Sequence, residues 1–169
     1  LMIRADDFLH CLHQAGVHFF TGVPDSLLKE FCACLSDQLS PRQHVIAANE
    51  GGAIGLAIGQ YLATQHPALV YMQNSGLGNT VNPLTSLADP QVYGIPMLLL
   101  VGWRGELDAQ GQQLHDEPQH VKQGQVTLTQ LEVLGIPYQV MADELHAVNA
   151  QISQLLHAAH SRQGPVALE

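Results

Sequence analysis

The run Ile95-Pro96-Met97-Leu98-Leu99-Leu100-Val101 is apolar at every position. A strand with one wet face alternates apolar and polar residues. An unbroken run therefore describes a strand covered on both faces, as parallel strands are inside layered α/β domains. Even extended to Trp103 it falls far short of the ~20 residues that span a bilayer. The segments on either side fit the same architecture. Ala5 to Gln14 carries Phe8, Leu9 and Leu12 on one side of a helix closed by Gly16, and Val17-His18-Phe19-Phe20 reads as a strand whose exit loop is Thr21-Gly22-Val23-Pro24. Asp25-Ser26 is expected to cap a helix bearing Leu27, Leu28, Phe31 and Leu35, broken by Pro41.

Further along, His44 to Ala48 reads as a strand, Glu50 to about Thr64 as a long helix, and Ala68 to Met72 as a strand before the turn Asn74-Ser75-Gly76-Leu77-Gly78-Asn79. Residues 104–123 are polar and aperiodic, and loops of that length in compact domains are usually functional or disordered. Leu128 to Leu134 is expected to be helical, Tyr138 to Val140 extended, Glu144 to His160 an amphipathic helix, and Pro165 to Leu168 a last strand. Strands alternating with helices predict a three-layer α/β sandwich, a mainly parallel sheet with helices on both faces, in one domain over 1–169. No repeat or linker interrupts it.

Composition narrows the class of function. Six Lys and Arg against fifteen Asp and Glu give a net charge of -9, and no basic cluster exists for a nucleic-acid backbone to meet. An apolar fraction of 46% against 12% charged residues is a folding composition, not that of a disordered chain. Arg4, Asp6 and Asp7 interrupt the place where a signal peptide has its apolar stretch. Three cysteines (Cys11, Cys32, Cys34) with no CxxC pair fit reduced thiols. The expectation is a cytoplasmic protein with no membrane contact, acting on a small molecule. Leu1 stands ahead of Met2 and reads as an addition.

Ligands of open α/β sheets bind beyond the carboxyl ends of the strands. Three polar clusters fall there: Asp25-Ser26, Asn49-Glu50-Gly51-Gly52 and Gln73-Asn74-Ser75-Gly76. Glu50 has two readings: an acid favoured by the exposed N–H groups of a helix start, or a carboxylate fixed at a crevice to hold or move a proton. Gly51, Gly55 and Gly59 recur every fourth residue and would let another element approach closely, whether inside the chain or across an interface. The 73–79 turn has the chemistry of a weak anion cradle but lacks the lysine of a P-loop and a full GxGxxG. No pair of His or Cys has zinc spacing with a second pair, so no metal site is expected on this chain, and no GxSxG marks a hydrolase. The stretch His115 to His120, with Arg104, Glu106, Lys122 and Gln123, is dense in acid-base groups.

Five motifs in order carry a resemblance: Phe20 to Ser26, Ala48-Asn49-Glu50-Gly51, Tyr71 to Asn79, Gly102-Trp103-Arg104-Gly105-Glu106, and Asp116 to Gly124. Together they resemble the N-terminal, pyrimidine-binding domain of the phosphonopyruvate decarboxylase family, thiamine-diphosphate enzymes related to sulfopyruvate decarboxylase. The resemblance implies that Glu50 bonds the ring nitrogen of the cofactor's aminopyrimidine and is catalytic. It also implies that Gly51, Asn74, Ser75 and Gly76 border the cofactor. Asp25, Asn74, Ser75, Arg104, Glu117, Gln119, His120 and Lys122 are its implied contacts to an anionic 2-oxo acid. The family's second domain binds the diphosphate through Mg2+ with a Gly-Asp-Gly start that this sequence does not contain. The expected partner is thus a diphosphate-binding domain or β subunit that brings the metal ligands, in an oligomer. Phosphonopyruvate is the expected substrate. Two alternatives are an α subunit of sulfopyruvate decarboxylase and a non-catalytic regulatory subunit.

Overall fold

The computed structural model describes residues 3–169; Leu1, read above as an addition, and Met2 lie outside the described residues. Six strands form one wholly parallel sheet in the order β2-β1-β3-β4-β6-β5. They are β1 (Phe20–Gly22), β2 (His44–Ile46), β3 (Ala68–Gln73), β4 (Met97–Gly102), β5 (Tyr138–Gln139) and β6 (Pro165–Leu168). The apolar run that dominates the sequence is central: β4 pairs with β3 and β6, and all six of its residues are buried.

Side-chain alternation assigns each face its own core. Leu69, Tyr71, Leu98, Leu100, Val166 and Leu168 point toward α1 (Ala5–Gln14), α2 (Lys29–Gln38) and α6 (Leu145–Arg162). On the other face Val70, Met72, Met97, Leu99, Val101 and Ala167 meet α3 (Glu50–Thr64), the segment after β3, and Leu131 of α5 (Val121–Val133). The segment after β3 is a 3-10 helix over Asn74–Thr80, which runs through α4 (Val81–Pro83) into π geometry over Leu84–Ala88. The expected three-layer sandwich is the architecture found.

Three local expectations are corrected. β1 lies at Phe20–Gly22, not 17–20, because pairing starts where Phe20 meets both His44 and Leu69. Thr21, read as loop, is a sheet residue whose hydroxyl donates to the Val45 carbonyl at 2.7 Å. Gly22 lies so close to Tyr71 that a Cβ would sit 2.1 Å from the Tyr71 carbonyl oxygen. Asp25 does not cap α2, which begins at Lys29; its carboxylate accepts from the Leu27 amide at 3.2 Å in the preceding turn. Finally, α5 starts at Val121 rather than 128, following a 3-10 turn over Pro118–His120. Lys122 and Gln123 are therefore helical.

Candidate active site

β1, β3 and β4 are neighbours in the sheet, so the segments leaving Gly22, Gln73 and Gly102 open onto a shared carboxyl edge. Two clusters form there.

The first is built on the start of α3. Asn49 is its N-cap, and its side-chain oxygen accepts from the Gly52 amide at 2.7 Å. Capping is done by this neighbour, which leaves the partly buried Glu50 carboxylate for another task. It reaches the 74–80 turn, where its Oε2 accepts from Asn79 Nδ2 at 2.8 Å. Gly76 leaves room for it: a Cβ there would fall 2.6 Å from Glu50 Cγ and 2.7 Å from Oε1. A Cβ on Gly51 would lie 2.9 Å from the Asn79 carbonyl oxygen. Helix start and turn approach closely because both contact points lack side chains. Gly55 and Gly59 differ, with open space where a Cβ would go, so no close internal contact explains them.

Gly76 has no positive φ, so alanine is tolerated by its backbone and acts only through its methyl group. Gly76→Ala is expected to push the Glu50 carboxylate aside and lower any activity that depends on it about 10²-fold, the usual cost of a ~1 Å misplacement. Steady-state kinetics beside a thermal melt checks this; wild-type turnover would show that the carboxylate's position is immaterial.

The second cluster joins the exits of β1 and β4 to the long loop. Arg104 Nη2 donates to Asp116 Oδ1 at 2.7 Å, and Nη1 lies 3.3 Å from Ser26 Oγ. His120 Nδ1 sits 2.9 Å from the same Asp116 oxygen. Asp116 also accepts from the Gly105 amide at 2.8 Å and the Glu117 amide at 2.7 Å. The His120 contact, with these amides and Arg104, holds the Asp116 carboxyl well below the usual carboxylate range. Asp25 stands beside this cluster, 7% exposed, with Oδ1 buried and unpartnered. Burial pushes its carboxyl up, against the pull of the Leu27 and Ser26 amides and of Arg104 and His120. Burial and a free oxygen suit this carboxyl to keeping a proton in spite of the Arg104 charge nearby.

Asn74 requires a correction. Its side chain is fully buried, and its Nδ2 donates to the Arg104 carbonyl at 2.9 Å and to Thr127 Oγ1 at 2.8 Å. Its Oδ1 lies 3.3 Å from the Arg104 amide. With donor and acceptor both engaged, it pins β3, β4 and α5 together and does not face a ligand. Ser75 stays exposed, its hydroxyl accepting from Gln73 Nε2 at 2.8 Å. Arg104 and His120 come together around Asp116, whereas the side chains of Glu117, Gln119 and Lys122 are exposed and outside the hydrogen-bonded cluster. Sequence reasoning missed Asp116, Asn79 and Thr127 as individual residues. Of these only Asp116 had a readable sign, its i,i+4 spacing from His120.

Among the described residues no three His, Cys, Asp or Glu side chains converge to hold a metal, and no helix is long and apolar enough to cross a membrane. The three cysteines are free, and burial raises the Cys34 thiol to about 11.

The profile of the thiamine pyrophosphate enzyme family, N-terminal TPP binding domain, matches residues 2–131. The chain belongs to this family. It is 38% identical over 125 residues to the sulfopyruvate decarboxylase subunit alpha of Methanococcus maripaludis, covering 74% of this chain and 69% of that one. The phosphonopyruvate decarboxylase of Streptomyces hygroscopicus is 33% identical over 97% of this chain, but the match spans only 39% of that enzyme. The phosphonopyruvate decarboxylase of Streptomyces viridochromogenes is 35% identical over 88% of this chain and 36% of its own length. A solved structure assigned as a thiamin diphosphate-dependent enzyme of Mycobacterium smegmatis superposes with a TM-score of 0.70 at 21% identity, covering 97% of this chain and 29% of that one. That last likeness speaks to the fold.

Proposed function

We propose that this chain supplies the pyrimidine-binding half of a thiamine-diphosphate-dependent decarboxylase, and that its substrate is phosphonopyruvate, released as phosphonoacetaldehyde and CO2. One observation carries the reading: a carboxylate, freed from capping by Asn49, is held by Asn79 over a glycine at the carboxyl edge of the sheet. An acid held there suits a nitrogen-bearing ring that must exchange a proton. Bound there, thiamine diphosphate supplies an electron sink for the pair left behind when the substrate carboxylate departs as CO2. Glu50 holds a proton at the ring nitrogen of the aminopyrimidine. Arg104 and His120 meet the anionic groups of the substrate, charge-assisted bonds being the stronger kind. Asp25 keeps a proton in reserve for the carbon that loses CO2.

The diphosphate and its Mg2+ belong, in this reading, to a partner domain or β subunit, and assembly makes at least a dimer. The outer side of α3, with Gly55, Gly59 and the exposed Leu56 and Leu62, is available to it.

Sulfopyruvate is the second reading, favoured by the match to a separate α subunit over 69% of its length. The motifs around Arg104 and Asp116 to Gly124 incline the choice toward the phosphonate. Side-by-side turnover of both acids by the enzyme assembled from this chain, its partner, thiamine diphosphate and Mg2+ is expected to show higher kcat/KM for phosphonopyruvate. A preference for the sulfonate would reverse the assignment, and no turnover of either would favour a regulatory subunit.

A further inference from the structure

The geometry points to Asp116 as the positioning residue of the substrate end: we propose that it fixes His120 as the Nδ1–H tautomer and Arg104 in one orientation, leaving His120 Nε2 as the nitrogen that meets substrate. The proposal rests on the decarboxylase reading for what His120 meets, but not for how His120 is held.

One carboxylate oxygen serves both side chains: Asp116 Oδ1 is 2.7 Å from Arg104 Nη2 and 2.9 Å from His120 Nδ1. An ionised carboxylate only accepts hydrogen bonds, so an unprotonated Nδ1 at 2.9 Å would set lone pair against lone pair. Nδ1 therefore carries the proton and donates it. Arg104 Nε and Nη2 also aim N–H groups at that nitrogen, at 3.4 and 3.3 Å; these longer approaches favour a bare Nδ1, and the carboxylate at 2.9 Å outweighs them. Asp116 is itself immobilised, because the Gly105 and Glu117 amides donate to its two oxygens. Its side chain is 16% exposed, with His120 at 14% and Arg104 at 20%.

The charge arithmetic follows. The groups facing His120 are Asp116 from the loop, Arg104 from the β4 exit and Asp25 from the β1 exit. With Asp25 protonated, as its burial favours, and His120 neutral, Arg104 and Asp116 cancel. With protonated His120 the three carry one positive charge. A substrate anion is thus held with full strength only when His120 brings a proton, and that proton resides on Nε2. Imidazole serves here as a proton-dependent donor rather than a permanent cation. The same logic of a carboxylate setting a histidine's tautomer operates in serine proteases, where replacing the acid by its amide costs about 10⁴-fold.

The test has two arms. In the first, 15N spectra of histidine-labelled wild-type chain report the neutral His120 tautomer without any variant or substrate. Nδ1–H is expected, and Nε2–H would overturn the proposal outright. In the second, Asp116→Asn is expected to lose the single tautomer and, in the assembled enzyme, to lower kcat/KM about 10²–10⁴-fold. An unchanged tautomer, or kcat/KM within about threefold of wild type, would overturn it, and Asp116→Glu is expected to recover part of the loss. Should the wild-type assembly turn over neither acid, the decarboxylase reading fails, while the tautomer spectrum still decides the role of Asp116.

Discussion

Glu50→Gln is expected to abolish turnover in the assembled enzyme while the melting temperature of the chain barely moves. The two effects separate because the jobs are separate. Asn49, not Glu50, satisfies the Gly52 amide at the start of α3, so the helix keeps its cap. Glutamine matches glutamate in size, and its carbonyl oxygen accepts from Asn79 Nδ2 as the carboxylate does. What disappears is the group that takes up and returns a proton, typically worth about 10²–10⁴-fold in rate. The residual stability effect is bounded by the helix-dipole contribution of an acid in the first turn, about 0.3–1 kcal/mol. Aldehyde formation and exchange of the cofactor's acidic ring proton, followed beside a thermal melt, check the pair. Near-normal turnover would remove Glu50 from the chemistry.

Gly124→Ala is expected to have the largest effect on stability. A Cβ at 124 would stand 1.7 Å from the Gly105 carbonyl oxygen and 2.3 Å from its carbon. These are backbone atoms and cannot rotate away, so either α5 or the turn at 104–105 must move. Movement there also strains the 2.9 Å hydrogen bond from buried Trp103 Nε1 to the Gly124 carbonyl. Overpacking and one weakened buried hydrogen bond together cost about 2–4 kcal/mol. Because Arg104 adjoins the turn, kcat/KM is expected to fall at least about tenfold. Urea unfolding provides the comparison, with Gly59→Ala as control: that position has open space, and alanine there is expected to stabilise the isolated chain by about 0.5–1 kcal/mol. A wild-type unfolding midpoint for Gly124→Ala would mean that the contact yields.

Gly124 also shows where the sequence stops being legible. The continuous apolar run of β4, the bounds of α1 and α3, and the strand-helix alternation that makes the sandwich follow from local pattern alone. The start of α5 does not: Val121 to Thr127 is polar and contains a glycine, which locally argues against a helix. Here that glycine is the residue that lets the helix touch the turn at Gly105, a contact between positions far apart in the chain. Thr21 and Gly22 misled for the same reason, since turn-like residues serve in β1 where Tyr71 crowds the backbone. In the site, Glu50 and Arg104 were readable as charged groups at strand exits. Asn74 was not, because nothing local distinguishes an amide that meets a ligand from one consumed by Arg104 and Thr127. Asp116 was obscured by the acids and amides around it until folding selected it as the acceptor.

The division of labour between Asn49 and Glu50 has an evolutionary consequence. Where one side chain both caps a helix and performs chemistry, losing the reaction also weakens the fold, and selection for a folded protein protects the chemistry indirectly. Here that protection is missing. A duplicated gene relieved of catalysis is free to drift at position 50 with little loss of folded protein, and its product would still present the same surfaces to other subunits. In such a lineage silent copies are cheap to keep, and under the proton-holding role proposed for Glu50 the residue at position 50 would tell a working copy from a silent one.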